Sequence, residues 1–469
     1  MVSLAVGLSL GAAKAAVRTG PVAEWDFSES AGPYVDTRHG LALSVASGAT
    51  APLRKTDGFG PGVASLAFDG TDQHLVIPAT ATGPLQIGGV ADGVTVAAWV
   101  KRTGDTNAAI AGIWPEDAAD PQRQYALFLN LALYGGDDRV CGHVSKTGAP
   151  TPGYPYTRDY SWNARRLEPD GSDGWRFAVF TYDGSHIRSY LDGCFERVPS
   201  YTDIEGASGP ANPYPFSAGL NQTPAEFTVG GVRLTGGYGN FLHGEIAKLR
   251  VWDRALSAAE ISQLFQADRL AGRPLFLDSF RTVEKVSSRA LGWRSFLGAG
   301  CVETTDLAPG DSVPEMYNFA GAGAGQGGYL ARTTAATGIG AGYFDGCRAA
   351  PLHWDDVASI KWSMNNAAPV DTVRVLVRAN GVWYASAVEF SCTASHTAQD
   401  WSNAEHFSLS VSRAAAFWRA VTLEPGDGLA LGQVLESDMT ADTLEAFGFL
   451  CDDTGSGTVR IDDLTLVAA

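Results

Sequence analysis

The sequence predicts an all-β protein made of two β-sandwich domains, and three observations carry that expectation. Short β-rich runs bounded by Gly, Pro or Asp follow one another along most of the chain. Glycine stands at 55 and aromatics at 10 % without a Gly-X-Y period, a mixture that suits strands joined by tight turns. Only one stretch, after Ser257, has clear helical periodicity. The 469 residues correspond to two or three domains at roughly 100–200 residues each. Hydrophobic residues at 45 % supply enough apolar material for real cores, which excludes wholesale disorder. A net charge of −17 repels phosphate backbones and argues against nucleic acid as a partner.

The N-terminal run Val2 to Ala13 is apolar but shorter than the about 20 residues that span a bilayer. Ala13-Lys14-Ala15-Ala16 has the small residues of a secretory cleavage site, although a basic leader segment is missing. Residues 1–16 therefore read as a signal peptide, with a secreted product, extracellular or periplasmic and not membrane-spanning, starting near Val17. Cys141 and Cys194 allow one bridge in the first half; Cys301, Cys347, Cys392 and Cys451 allow two in the second. No CxxC or Cys/His pairing shows metal spacing, so a structural role is expected for these cysteines.

In the first half, Val22 to Phe27, Ser65 to Phe68, His74 to Ile77 and Val94 to Arg102 read as strands. Val94 to Val100 is apolar at both alternations, as a strand packed on both faces would be. Asp183-Gly184 between Trp175–Tyr182 and Ile187–Leu191 marks a hairpin, and Phe241 to Trp252 alternates again. Ser257-Ala-Ala-Glu260 is a capping box, and Ile261, Leu264 and Phe265 give one short helix its apolar stripe. Ala271-Gly-Arg-Pro274 breaks it, which places the domains at 17–271 and 274–469. The second half restarts at Pro274 to Phe280. Asn380-Gly381 joins Val370–Arg378 to Val382–Phe390 as a type I′ hairpin. Further strands are expected at 407–411, 417–423, 446–450 and 459–467, with a helical turn at Leu444 to Phe447. Gly321 to Gly328 is a flexible loop without the strand–GxGxxG–helix order of a dinucleotide site, so no organic cofactor is expected.

Phe68-Asp-Gly70, Val94 to Lys101, Trp175 to Gly184, Ser189-Tyr-Leu-Asp-Gly193 and Gly244 to Ser257 together resemble the laminin-G-like, concanavalin A-like jelly-roll domains of bacterial secreted proteins. The resemblance covers roughly residues 20–270 and implies two curved antiparallel sheets, one face of which holds glycan in many relatives. Relatives often carry calcium-binding acids in the closing strand. Here Ala247 and Lys248 stand there, and the lysine is expected to pair with Asp36 or Glu24 instead. Asp26, Asp36 and Asp69 are further oxygen donors, or plain strand-end carboxylates. The second half is similar, more loosely, to jelly-roll carbohydrate-binding modules, in which the first and last strands are neighbours. That resemblance implies a structural calcium at Asp278 and Asp463.

The segment Tyr154 to Arg166 packs three tyrosines, a tryptophan and three arginines into one insertion. Rings stack on sugar faces and arginines fork onto carboxylates or sulfates. Tyr154, Tyr156, Arg158, Tyr160, Trp162 and Arg165 are therefore the leading glycan-binding candidates, joined by Trp383 after the Asn-Gly turn and Trp401 in a polar run. Trp99, Trp175, Trp252 and Trp362 read as core. Catalysis has weaker support. Glu168-Pro-Asp170 and Glu436-Ser-Asp438 sit in loops, His353-Trp-Asp-Asp356 is a compact polar group, and no GxSxG elbow is present. The expected function is binding of a polysaccharide, with an anionic one favoured by the arginines. The rivals are a glycoside hydrolase or polysaccharide lyase, with one of the insertion tyrosines as base, and a cell-surface adhesion or structural protein.

Overall fold

The computed structural model describes residues 20–88, 93–132, 135–154, 159–198, 201–202, 208–268, 274–278, 280, 286–287, 292–303, 317–318, 330–333, 339–344, 351–369, 372–397, 401–451 and 458–469. Antiparallel sheets dominate these residues, and the helix Ala258–Ala267 is their one α-helix. The expected leader and the Gly321–Gly328 loop lie outside the described residues, as does Arg269 to Arg273 between the two halves.

Two sheets form the first sandwich. One runs in the order Cys194–Phe195, His186–Leu191, Arg176–Tyr182, Val94–Arg102, His243–Trp252, Val63–Asp69, Leu53–Gly60, with Ala23–Trp25 also on His243–Trp252. The other runs Tyr160–Trp162, Gly136–Val144, Tyr125–Leu131, Ala108–Ile113, Phe227–Val229, Leu75–Ile77, Ala42–Val45, Tyr34–Val35. The period of two explains how Val94–Arg102 is apolar on both sides. Val94, Val96, Ala98 and Val100 face the second sheet, whereas Ala97 and Trp99 face a separate apolar layer under the helix. Ser257 accepts from the Glu260 N–H while Glu260 accepts from the Ser257 N–H, so the capping box closes as its residues demand. Ile261 and Phe265 are buried, and Phe265 stacks on Trp99 with ring centroids 5.5 Å apart.

The helix end is fixed electrostatically. Asp268 accepts from Arg250 Nη1 at 2.6 Å, Arg250 Nη2 at 2.9 Å, Lys248 Nζ at 2.8 Å and Trp99 Nε1 at 3.1 Å. Lys248 thus pairs with Asp268, not with the expected Asp36 or Glu24. Asp36 is consumed by the backbone N–H groups of Arg38, His39 and Leu41, and Glu24 is bonded by Arg38 and Arg250.

The second sandwich has the same plan. One sheet runs Val286–Ser287, Tyr317–Asn318, Leu330–Thr333, Thr458–Ala468, Val357–Met364, Glu405–Ser410, with Pro274–Asp278 also on Thr458–Ala468. The first and last strands of this half are therefore neighbours. The facing sheet runs Val302–Glu303, Trp293–Leu297, Gly340–Phe344, Thr443–Cys451, Arg374–Ala379, Val382–Ser386, Trp418–Glu424, Gly428–Val434. Asn380 and Gly381 both have positive φ, at 46° and 80°, as a type I′ turn requires. Leu444 to Phe447 belongs to the strand Thr443–Cys451 and is not a helical turn, because Leu444, Ala446 and Phe447 are claimed by sheet packing. Cys141 is a buried thiol donating towards backbone carbonyls, so it does not bridge to Cys194; Cys301 is likewise a buried thiol.

The two sandwiches share one apolar cluster. It runs from Trp99, Phe177 and Phe265 to Leu275, Phe276, Trp293 and Trp362. Arg165 lies over the Phe276 ring at 4.6 Å and donates to the Leu277 carbonyl at 2.9 Å.

Burial alone would raise the Asp268 carboxyl, but the hydrogen bonds and charges of Arg250 and Lys248 outweigh it and hold the group at about 2. Its ionised form therefore stabilises the fold above the ordinary carboxylate range, and that contribution is lost as pH falls from about 4 through about 2. Asp268→Asn is expected to lose about 3 kcal/mol at neutral pH, since it strands two cations. Urea unfolding should show the gap to the parent shrinking across that acid window; a pH-independent gap would contradict the assignment.

Candidate functional site

The outward face of the Tyr160–Trp162 sheet carries a second aromatic layer. Trp114, Phe128, Cys141, Tyr160 and Trp162 form it, and Val198, Ala211, Val232 and Leu234 pack against it. His143 joins it with its ring 4.2 Å from Trp114 and its Nε2 2.5 Å from Asp159 Oδ1. Arg139 lies 4.7 Å over Trp162 and Arg123 lies 5.3 Å over Trp114.

This layer accounts for several expected ligand contacts. Tyr160 and Trp162 are buried within it, so neither ring is presented as a sugar platform. Arg165 is buried in an ion pair with Glu196, and Arg166 pairs with Asp137. Folding the insertion onto its own sheet desolvates these guanidinium groups, and the intramolecular carboxylates compensate. Tyr154 is half-buried against Phe216 and bonded to Ser217 at 3.2 Å. Tyr156 and Arg158 lie outside the described residues. Trp383 packs in the core against Tyr343 at 4.4 Å, because its strand directs it inward. Tyr384 points the other way and is also half-buried. Trp401 opens the short 3-10 helix Trp401–Asn403.

The metal candidates divide. Asp278 is buried, and its Oδ2 has no hydrogen-bond partner. Asp463 is exposed, has φ of 51°, and accepts from Ser363 Oγ at 3.1 Å. The alternation instead turns Asp462 inward, 2 % exposed. Burial pushes both inner carboxyls up; for Asp462 the neighbouring charges of Asp463 and Asp278 add to the effect. Arg165 and Arg176 oppose it at Asp278.

The catalytic candidates are turn or surface carboxylates. Asp170 caps the Ser172 N–H, Asp438 caps the Ala415 N–H, and Asp355 pairs with Arg413. The charge of His353 also acts on Asp355.

A groove that sequence reading missed opens where Ala108–Ile113 ends. Its volume is about 250 Å³, and Pro78, Pro115, Asp117, Asp120, Glu226 and Arg233 line it. The hairpin Val232–Leu234 and Gly237–Gly239 builds one wall. Glu226 is held there by Arg233 Nε at 2.9 Å and by Tyr238 Oη, 3.1 and 3.0 Å from its two oxygens. Arg233 lies 5.4 Å over the Tyr238 ring, whose other neighbour is His74 at 4.1 Å. Burial lowers the His74 pKa, so the ring beneath Tyr238 is favoured in its neutral form. The hairpin is locked to the groove floor by Glu116 N–H to Arg233 O at 2.7 Å and Ala118 N–H to Thr235 Oγ1 at 2.9 Å. Such a site offers carboxylate acceptors for hydroxyl groups and a guanidinium held beside them. Its parts are spread from residue 78 to residue 238, so no local motif announces it. A larger hollow of about 430 Å³ lies by Asp183, Arg188, Tyr190, Phe195 and Glu260. Its charges are paired as Arg188–Asp183 and Arg254–Glu260.

Residues 69–262 match the family model described as the Concanavalin A-like lectin/glucanases superfamily. No curated protein matches the chain. Among solved structures, the chain is similar to domain 4 of AbnA, an extracellular arabinanase from Geobacillus stearothermophilus solved with arabinotriose. The identity is 15 % and the TM-score 0.33, over 53 % of this chain and 98 % of that one. It is similar to the binding domain of botulinum neurotoxin DC at 8 % identity and a TM-score of 0.34, over 95 % and 99 % of the two chains. A Trypanosoma rangeli sialidase is similar at 16 % identity and a TM-score of 0.34, over 54 % of this chain and 34 % of the sialidase. The antiparallel sandwich, its closing strand and the capped helix after it agree with the match of residues 69–262 to the model of the concanavalin A-like lectin/glucanases superfamily.

Proposed function

We propose that the protein is a secreted polysaccharide-binding protein whose first sandwich holds a neutral glycan in the groove between Pro115, Glu226 and Arg233. The observation that carries this reading is the fixed Arg233–Glu226–Tyr238 set at the open rim of a lectin-type sheet. Carboxylates accept from vicinal sugar hydroxyls, a guanidinium donates to ring and hydroxyl oxygens, and apolar rims meet sugar C–H faces. Three carboxylates against one arginine disfavour an anionic ligand in this groove. Of the three arginines that pointed to an anionic glycan, Arg165 and Arg166 are occupied by internal ion pairs, and Arg158 lies outside the described residues. Both oxygens of Glu226 receive hydrogen bonds, which suits positioning a hydroxyl-bearing ligand more than delivering a proton.

Affinity electrophoresis over a panel of neutral and anionic polysaccharides should show retardation on a neutral one. Arg233→Ala and Tyr238→Ala should each weaken it about 10-fold or more, since a hydrogen bond involving a charge is lost. Retardation by no polysaccharide, or unchanged retardation in both variants, would defeat the reading. Reducing-sugar release or unsaturated product on the same panel would replace binding by turnover.

We also propose a structural calcium at Asp278 and Asp462 in the second sandwich. The residues fit a hard cation, because two inner carboxylates are buried near one another and Asp278 Oδ2 has no other partner. The ion would neutralise this acid pair and tie the first strand of the sandwich to its last. Calcium should raise the unfolding midpoint, by about 2–4 °C per kcal/mol of binding linkage, and Asp278→Asn should abolish the rise. Equal midpoints for the parent protein in calcium and in chelator would rule the site out.

A further inference from the structure

We propose that Cys392, His396 and Glu405 form a zinc site that fastens the Cys392–His396 loop to the start of the strand Glu405–Ser410. The candidate ligand atoms of the three side chains all lie within 4.8 Å of one another. His396 Nε2 is already 3.4 Å from Glu405 Oε1. A tetrahedral zinc ion with bonds of about 2.0–2.3 Å places its ligand atoms roughly 3.3–3.8 Å apart. The observed set is therefore within about 1 Å of that geometry, an adjustment within reach of side-chain torsions.

The surroundings hold the ligands in place. Asn366 supplies both backbone anchors: its N–H donates to Cys392 Sγ at 3.3 Å, and its carbonyl accepts from the His396 N–H at 2.9 Å. A backbone N–H aimed at sulfur stabilises the thiolate form that a metal needs. Glu405 Oε1 accepts from the Thr393 N–H at 2.6 Å and from Thr393 Oγ1 at 3.1 Å, which ties the acid to the residue beside Cys392. Arg460 is the nearby cation, and its guanidinium is directed at the backbone carbonyls of Asn365 and His396 rather than at the ligand atoms. Cys392 is 2 % exposed, whereas His396 and Glu405 are half-buried, so the site opens to solvent on one side.

The donor set selects the metal. Sulfur, imidazole nitrogen and carboxylate oxygen together suit borderline Zn²⁺ and exclude a site built for Ca²⁺, which takes oxygen alone. Three protein ligands leave the fourth tetrahedral position to water. Glu405–Ser410 ends the order of its sheet among the described residues, so the ion would pin an edge strand where hydrogen bonding from a neighbour stops. The Cys-x₃-His spacing looked uninformative in sequence because the third ligand arrives nine residues later, on another element.

The test uses the full chain, stripped with chelator and titrated with Zn²⁺ and, separately, Co²⁺. Expected are one metal per chain by elemental analysis and a thiolate-to-cobalt charge-transfer band, neither displaced by excess Ca²⁺. Cys392→Ser should abolish the band, and His396→Ala and Glu405→Gln should each weaken Zn²⁺ at least about 10-fold. Glu405→Gln keeps the shape of a partly exposed side chain, so it still reports on the site if Cys392→Ser fails to fold. Absence of bound metal in the parent protein, or unchanged affinity in His396→Ala and Glu405→Gln, would overturn the proposal.

Discussion

Two buried arginines hold the join between the sandwiches, and much else follows from their neutralisation. Arg176 is bonded to Asp192 and Asp173, and Arg165 to Glu196, with none of these side chains more than 6 % exposed. Each also reaches the Leu277 carbonyl, Arg165 through Nη1 at 2.9 Å and Arg176 through Nη2 at 3.3 Å, while Arg165 Nη2 donates to the Leu191 carbonyl at 3.2 Å. A backbone carbonyl capped by two charged donors fixes the first strand of the second half against the first half. Phe276 is thereby set under Arg165, and Asp278 is left facing inward beside Asp462. Removing either arginine would strand carboxylates in a low-dielectric interior, a penalty larger than the loss of one ordinary hydrogen bond.

The same economy of charge shapes the first sandwich. Tyr160 and Trp162 of its aromatic insertion are packed on the outer sheet face, and Arg165 and Arg166 find carboxylates within the fold. The proposed ligand surface is a neighbouring polar rim, where Arg233 remains partly exposed. In that proposal the binding chemistry moves from rings to fixed acceptors and one cation. A groove of this kind depends on orientation more than on buried area, and the Glu116–Arg233 backbone bond supplies that orientation.

Local signals were legible in the sequence. The Ser257–Glu260 capping box and the Asn380-Gly381 turn each encode their geometry within four residues. The doubly apolar run at Val94 to Val100 foretold a strand with two packed faces. What stayed hidden was set by long-range pairing. Trp162 and Trp383 read as exposed platforms because a strand's alternation does not say which face is covered. Asp463 is the residue expected to meet Asp278, but the register with Pro274–Asp278 turns its neighbour Asp462 inward instead. Lys248 met Asp268 rather than Glu24 because the helix returns over the sheet, and no spacing rule reports that return. Glu226, Arg233 and Tyr238 gather through a hairpin whose partners lie more than a hundred residues away.

The shared apolar cluster also bears on mechanics. Load passing between two modules usually spends itself in bending the linker. Here Trp99, Phe265, Phe276 and Trp293 belong to one packed layer, and ion-paired arginines grip the incoming strand beside it. Tension applied to one sandwich is therefore passed to the other by side-chain packing and by strand hydrogen bonds loaded together. The join would yield as a brittle seam, giving way in one event, where a flexible linker would first uncoil.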